Sequence, residues 1–253
     1  MKNMNKVSQI FSLALIIFFL ASCKESKEIK KDSFDLSGAI QNTTESYLLL
    51  SEVGKSGFSQ NDTLLIDEKG KFSKSIEMKE PTLYSLSLGN EYIVICPSIG
   101  EQITIKANAN DFSGSYSIEG SHESELLKEL NKENYNIRLS LKSMSEELSK
   151  ADSTKFDSVR TSILEKFMKM KQYQEKISAD YIEKNKGSLT TLIALYRTFD
   201  GIPLFDHRQS LDMHKKVLAD LEQTLPNNQH TLTLRNFITE KEKALNGNGL
   251  EEK

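Results

Sequence analysis

The sequence has no tryptophan, only two cysteines in 253 residues and no excess of positive charge. Without tryptophan, a platform for stacking sugar rings would have to be built from tyrosine or phenylalanine. A formal net charge of −3 excludes the basic footprint typical of nucleic-acid binding. The two cysteines are too far apart in the chain to form a Cys-x-x-Cys redox pair. None of these features indicates a particular reaction.

The N-terminus combines a basic start with a short apolar run. Lys2 and Lys6 precede an apolar stretch from Ile10 to Leu20 that only Ser12 interrupts. This order is typical of a secretory signal peptide, and we assign it to residues 1–22. The alternative is a transmembrane anchor, but the run is about half of the roughly 20 residues that a spanning helix needs.

The motif Leu20-Ala21-Ser22-Cys23 resembles the lipobox of bacterial lipoproteins. The resemblance implies cleavage between Ser22 and Cys23, a diacylglycerol thioether on Cys23 and further acylation, for example with palmitate. It predicts a protein anchored in the cell envelope of a Gram-negative bacterium, with the outer membrane favoured and the periplasmic or surface side left open. Residues 23–33 would then be the lipidated cysteine and a charged, solvated tether.

Residues 34–120 have the pattern of a β domain. Short segments of apolar and β-branched residues recur between turns that contain glycine, asparagine or proline. The Lys69-Gly70 pair is typical of a turn with a positive φ angle. The spacing of the segments predicts an antiparallel β-sandwich or barrel, with strands expected at 34–40, 47–50, 63–66, 73–78, 82–88, 92–96, 102–107 and 116–118.

The pattern changes to helical periodicity after Gly120. Residues 121–246 predict a long helical hairpin, with Asp152 or Ser153 as the cap of its second helix, and then helices over 189–199, 210–225 and 231–245. The fold class is therefore α+β, and residues 247–253 form a tail. Residues 34–120 contain 12 acidic and 6 basic residues, whereas residues 121–253 contain 21 of each. We accordingly expect two separate folding units.

The order of motifs in the β domain resembles the N-terminal domain of unknown function in bacterial lipoproteins of the thioredoxin-like thiol–disulfide oxidoreductase class. A later stretch, Lys186 to Tyr196, resembles part of the helical spacer of those proteins. The resemblance implies a lipobox, this β domain, a helical spacer and then a redoxin domain with Cys-x-x-Cys. The motifs are Phe34-x-Leu36-x-Gly38-x-Ile40, Asp67-x-x-Gly70-x-Phe72, Pro81-x-x-Tyr84, Ile93-x-Ile95-x-Pro97-x-x-Gly100 and Ile118-x-Gly120-Ser121.

The sequence contains no Cys-x-x-Cys segment, so no catalytic residue of that class has a counterpart here. We therefore predict a non-catalytic, membrane-anchored interaction or accessory module rather than an enzyme. One alternative is a lipoprotein that binds a glycan or a peptide. Another is the truncated regulatory half of an oxidoreductase. The expected partners are the membrane, through the lipid on Cys23, and either an envelope protein or a separately encoded redoxin domain.

Three groups of side chains were considered as sites, and no metal or cofactor is predicted. Cys96 is a candidate free thiol, although a small buried residue at a strand end is the favoured interpretation. A metal site at Asp206, His207, Asp212 and His214 is disfavoured, and His122 and His230 are isolated. The aromatic residues of the β domain would either line a ligand groove or fill the core; they are Tyr47, Phe58, Phe72, Tyr84, Tyr92 and Tyr116.

Overall fold

The computed structural model describes residues 32–54 and 57–247. The predicted signal peptide, Cys23, most of the tether and the end of the tail lie outside the described residues. Among the described residues, no helix has the length and apolar character needed to cross a membrane.

Eight strands of the N-terminal half form two four-stranded sheets, which confirms the α+β class. Sheet one has the order β4-β1-β7-β8, and sheet two has the order β3-β2-β5-β6. The strands are β1 Ser33–Gln41, β2 Tyr47–Gly54, β3 Gly57–Leu65, β4 Lys71–Glu77, β5 Tyr84–Leu88, β6 Glu91–Ile95, β7 Gln102–Asn108 and β8 Ser117–Glu119.

One strand pair differs from the antiparallel arrangement that the spacing predicts. β1 and β7 pair in parallel, with Leu36 opposite Ile103 and Gly38 opposite Ile105. The chain builds β4 and the whole of sheet two between these strands, and a parallel pair needs such a long crossover connection. The predicted tight turn, in contrast, is confirmed at Gly70, where φ is +76°. Asp67 stabilises that turn by accepting hydrogen bonds from the backbone N–H groups of Lys69 and Lys71.

The two sheets enclose a core made of alternate apolar side chains from both sheets. Leu36 and Ile105 come from sheet one, and Leu86, Ile93 and Ile95 come from sheet two; all five are fully buried. Because successive residues of a strand face opposite sides of a sheet, the residues between them on β6 cannot face this core.

The helices of the second half of the chain pack on the outer face of sheet two. Leu83, Val94 and Cys96 lie on that face and pack against helical residues in a second core. The end of β6, from Ile93 to Ile95, is therefore covered on both faces, which explains why these three residues are all apolar. The second core also includes Leu127, Leu130, Tyr181, Ile182, Leu189, Leu192, Ala194, Leu195, Val217, Leu221, Leu234 and Ile238.

The helices follow the predicted order with shifted bounds. They are α1 Phe112–Ser115, α2 His122–Ser149, α3 Phe156–Lys184, α4 Thr191–Leu195, α5 His207–Thr224 and α6 Gln229–Gly247. α4 is shorter than the helix predicted over 189–199, because the chain next forms a two-residue strand, β9 Thr198–Phe199, which pairs with β10 Ile202–Pro203. Ser121 is the N-cap of α2, where its side chain accepts a hydrogen bond from the Ser124 N–H. Asp152 instead binds Thr154 in the preceding turn, and Lys155 is the N-cap residue of α3.

The described residues, 32–54 and 57–247, form one compact unit. The change of sequence pattern at Gly120 thus marks where the two sheets end and the long helices begin. Residues from both sides of Gly120 contribute to the second core. Independent folding of 34–120 and 121–246 stays a prediction.

Candidate functional site

Helix α2 docks on the edge of sheet two through a buried asparagine. β6 is an edge strand, so one side of its backbone has no neighbouring strand. Asn131 replaces that neighbour: its Nδ2 donates to the Val94 carbonyl at 3.0 Å, and its Oδ1 accepts from the Val94 N–H at 3.4 Å. Nδ2 also donates to the Tyr116 hydroxyl at 3.0 Å. One buried side chain thereby satisfies both backbone groups of Val94.

Cys96 lies in the same seam and is buried. Its N–H donates to Ser124 Oγ at 3.0 Å, and its carbonyl accepts from Ser121 Oγ. The side chain is 1% exposed and forms no disulfide. Burial, with Glu123 and Glu101 as further causes, raises the pKa of the thiol above its usual value. The structure thus places Cys96 in the second core rather than at a surface where a thiolate could react.

A cavity of about 820 Å³ opens between the outer face of sheet two and the helices. We call it the interlayer cavity. Strands β2, β5 and β6 form one wall, while α1, α2, α4, α6 and the segment 196–200 form the others. Its lining residues are Val53, Gly54, Leu83, Ser85, Tyr92, Val94, Ser113, Asn131, Asn134, Tyr135, Ile137, Arg138, Leu141, Leu192, Ile193, Tyr196, Arg197, Thr198, Asp200, His230, Thr233, Leu234 and Phe237.

Arg197 is the most unusual residue of the cavity because its charge is buried. The side chain is 5% exposed. Its Nε donates to Asn134 Oδ1 at 3.1 Å, Nη1 to Ser178 Oγ at 2.9 Å and Nη2 to Gln174 Oε1 at 2.9 Å. All three acceptors are neutral. Burial lowers the pKa of Arg197 to about 10, so the guanidinium still carries its charge at neutral pH.

A carboxylate approaches Arg197 only indirectly. Gln174 accepts from Arg197 and donates through Nε2 to Glu133 Oε2 at 3.3 Å. Among the described residues, none forms an ion pair with Arg197. This network ties α2, α3 and the segment after α4 together, and it leaves a buried positive charge only partly balanced.

A second arginine lies at the rim of the cavity. Arg138 Nη2 donates to Ser113 Oγ at 2.6 Å, and its guanidinium lies 5.7 Å from the ring centre of Tyr135. Ser113 in turn donates to Glu91 from both its N–H and its hydroxyl. Two tyrosines flank this rim with about half of their surface exposed, Tyr92 at 52% and Tyr196 at 51%. The rim thus offers charge, hydroxyl groups and aromatic faces.

His230 joins α6 to the loop before β5. Its Nε2 lies 2.8 Å from Thr82 Oγ1, and Thr82 also donates to Glu52 Oε1 at 3.5 Å. Burial lowers the pKa of His230 below its usual value, while Glu52 and Glu80 oppose that change. Nearby, Asn228 donates to the Pro81 carbonyl at 2.8 Å. These bonds close one end of the cavity.

The predicted aromatic groove is only partly recovered. Phe72, Tyr84 and Tyr116 are buried in the sandwich core, so they fill the core instead of lining a groove. Tyr92 lines the interlayer cavity, and Tyr47 is exposed elsewhere. The side chain of Phe58 lies outside the described residues. The sequence therefore identified one of the cavity's aromatic residues and missed Tyr135, Tyr196 and Phe237, which belong to helical segments.

Of the two histidines in the disfavoured metal cluster, the structure describes the side chain of His214. His214 is buried, with its ring 5.9 Å from that of Tyr196 and 5.7 Å from that of Phe237. No group of three or more histidine, cysteine, aspartate or glutamate side chains suited to a metal was found among residues 32–54 and 57–247. The side chain of His207 lies outside the described residues.

Comparison with known protein families gives a match for the β half of the chain. Residues 26–127 match the model of a family described as "Domain of unknown function (DUF4369)". The match covers less than half of the chain and ends within α2, so Arg197 and His230 lie beyond it. No curated protein matches the chain. A redoxin is not among these findings, and the resemblance to oxidoreductase lipoproteins stays a prediction.

One solved structure shows a remote likeness. It is described as a "putative cell adhesion protein" from Bacteroides ovatus ATCC 8483, with 14% identity over 36% of this chain and a TM-score of 0.22. The aligned part spans 43% of that protein, well under two thirds of its length. At this level of similarity the likeness carries no argument about function. The comparisons therefore leave this chain as one whose β-sandwich is similar to a family of unknown function.

Proposed function

We propose that this chain is a non-catalytic accessory module of the cell envelope that binds a ligand in the interlayer cavity. The observation that carries the proposal is the cavity itself. Its volume of about 820 Å³ lies in the range of small-molecule and chain-end sites, roughly 300–1,000 Å³. Apolar walls with a few placed polar groups are the usual composition of such sites.

The chemistry of the lining favours binding over turnover. Cys96 does not line the cavity, and its raised pKa disfavours the thiolate that disulfide exchange requires. Thr82 and His230 form the nearest arrangement to a nucleophile and base. No described residue holds Nδ1 of His230, however, and Glu52 contacts the threonine hydroxyl instead. A base without an orienting partner lacks one part of the usual catalytic set.

The anchor is the second part of the proposal. The motif ending in Cys23 supports a lipid on that residue, and the charged residues after it support a tether. The module would then be held at a membrane surface, with the cavity presented by the folded unit that follows. The outer membrane of a Gram-negative bacterium is the location that we propose.

A binding screen tests the site. The full-length chain, purified in detergent micelles, is applied to arrays of envelope glycans and short peptides, alongside Tyr196→Ala and the control Tyr173→Ala. Tyr196 lines the cavity, whereas Tyr173 is an exposed tyrosine of α3 outside it. We expect hits that weaken about tenfold in Tyr196→Ala only, because aromatic contact area is lost. Equal loss in both variants, or no hit at all, would contradict the proposal.

Labelling with a fatty-acid analogue tests the anchor. Cys23→Ala should abolish incorporation of the label and release the protein from the membrane fraction. Equal labelling of the variant and the wild-type chain would rule out Cys23 as the lipidated residue.

A further inference from the structure

We propose that the interlayer cavity selects a ligand that carries a single carboxylate, bound by Arg197 inside the cavity and by Arg138 at its rim. This inference rests on the proposed function and adds the chemical class of the ligand.

Arg197 has N–H donors that no described residue uses. A guanidinium has five N–H groups in a planar fork, and three of them donate to Asn134, Ser178 and Gln174. Nη1 and Nη2 each keep one N–H group without an acceptor among the described residues. Each terminal nitrogen can therefore donate one further hydrogen bond, and carboxylates are the anions that arginine binds with such donors.

The positive charge of Arg197 is buried. The Arg197 side chain is almost fully buried, its direct partners are neutral, and Glu133 reaches it only through Gln174. Removing a charge from water without a counter-ion is costly, and proteins normally pair such groups. The fixed dipoles of three side chains hold the guanidinium in place, so an anion that enters the cavity meets a donor that is already oriented.

The net charge of the cavity lining limits the charge of the ligand. The charged side chains that line the cavity are Arg138, Arg197 and Asp200. His230 does not alter this balance at neutral pH, because its pKa is lowered and its ring is neutral there. The lining thus has a net charge of +1, and Glu91 behind Ser113 reduces the field of Arg138 further. One carboxylate balances this charge, whereas a doubly charged phosphate ester exceeds it.

The other residues that line the cavity determine which chemical group can lie next to the carboxylate. Tyr135, Tyr196 and Phe237 offer ring faces, and Leu192 and Leu234 offer aliphatic surface. A flat or apolar group next to the carboxylate fits these walls. Two sources supply this chemistry, the C-terminal residue of a peptide and an acidic sugar, and the test separates them.

The test compares matched acids and neutral derivatives by calorimetric titration of the full-length chain in detergent micelles. The probes are an acetylated tripeptide ending in phenylalanine with a free carboxyl terminus, its amidated twin, the methyl glycoside of galacturonic acid, which has one carboxylate, and the methyl ester of that glycoside. The tripeptide ending in phosphotyrosine amide is the dianionic comparison. We expect one of the two acids to bind at least about tenfold more tightly than its neutral twin, because a charged hydrogen-bonded pair is formed.

Three variants locate the effect. Arg197→Lys keeps the charge but loses the fork, and Arg138→Gln removes the rim charge; each should reduce the preference for the acid to within about threefold. Arg160→Gln is the control, because Arg160 is an exposed arginine of α3 that does not line the cavity. It should keep the full preference. Circular dichroism checks each variant, and if Arg197→Lys fails to fold, Arg138→Gln decides.

The outcomes separate the two proposals. Equal binding of acids and neutral twins would overturn the carboxylate inference and leave the binding function in place. Tighter binding of the phosphotyrosine peptide would overturn the choice of a single carboxylate. A preference for the acid that survives both arginine variants would overturn the assignment to Arg197 and Arg138. Binding of none of the probes would count against both proposals.

Discussion

Two hydrophobic cores of this protein lie on opposite faces of sheet two and differ in their surroundings. The core between the sheets is built from aliphatic and aromatic side chains of both sheets. The layer between sheet two and the helices also buries polar groups, including Asn131, Ser124, Gln174 and Arg197, and it contains the interlayer cavity.

The inner face of sheet two serves stability, whereas its outer face is suited to binding. An apolar core between two sheets is stabilised by close packing and by removal of apolar surface from water. Each buried polar group in a layer needs a hydrogen-bond partner. A cavity in the same layer removes van der Waals contacts between side chains. The layer between sheet two and the helices contains both buried polar groups and a cavity. This is the arrangement expected at a binding site.

The largest expected effect is in the sandwich core. Leu86→Ala removes a fully buried side chain of β5 and should lower the free energy of unfolding by about 3 kcal/mol, through lost burial and the cavity left behind. Leu65→Ala is the matched control, because Leu65 is 76% exposed on β3; it should change stability by less than about 0.5 kcal/mol. Urea unfolding measures both. A similar loss in the two variants would contradict the assignment of Leu86 to the core.

A smaller effect is expected where α2 docks on β6. Asn131→Ala leaves the backbone groups of Val94 without their partner and should cost about 2 kcal/mol. Asn136→Ala, at an exposed position of the same helix, should instead raise the free energy of unfolding by about 0.5 kcal/mol, because alanine has a higher helix propensity than asparagine.

Unfolding of the Asn131 variant also addresses whether the two halves fold separately. Because both contribute to the second core, we expect one transition when fluorescence and circular dichroism are compared. Two separated transitions, with the helices lost first, would instead support independent units at 34–120 and 121–246.

The smallest effect concerns pH. The folded chain holds His230 at a lowered pKa, so below the usual value of 6.5 the unfolded chain takes up a proton that the folded chain resists. The free energy of unfolding should therefore fall as the pH decreases from 6.5 towards the folded pKa and should show no such loss above 6.5. His230→Gln should reduce this acid-dependent loss, whereas the exposed His122→Gln should not. An unchanged pH profile in His230→Gln would remove the buried histidine as the cause.

The sequence alone was sufficient for much of the chain's local structure. Alternating and helical patterns located the strands, the long hairpin and the turn at Gly70, because each depends on residues close together in the chain. The short helix α1 was missed, and α4 was predicted too long, because a few residues give little periodic signal.

The tertiary structure decided how distant segments meet. The parallel pairing of β1 with β7 depends on where the intervening strands pack, which no local pattern records. The same holds for the cavity: Tyr92, Asn131, Arg197 and His230 come from four separate segments, and each resembles an ordinary surface or core residue in the sequence. The pattern of side chains specifies which face of an element is buried, whereas the partner of that face is chosen by packing of the whole chain.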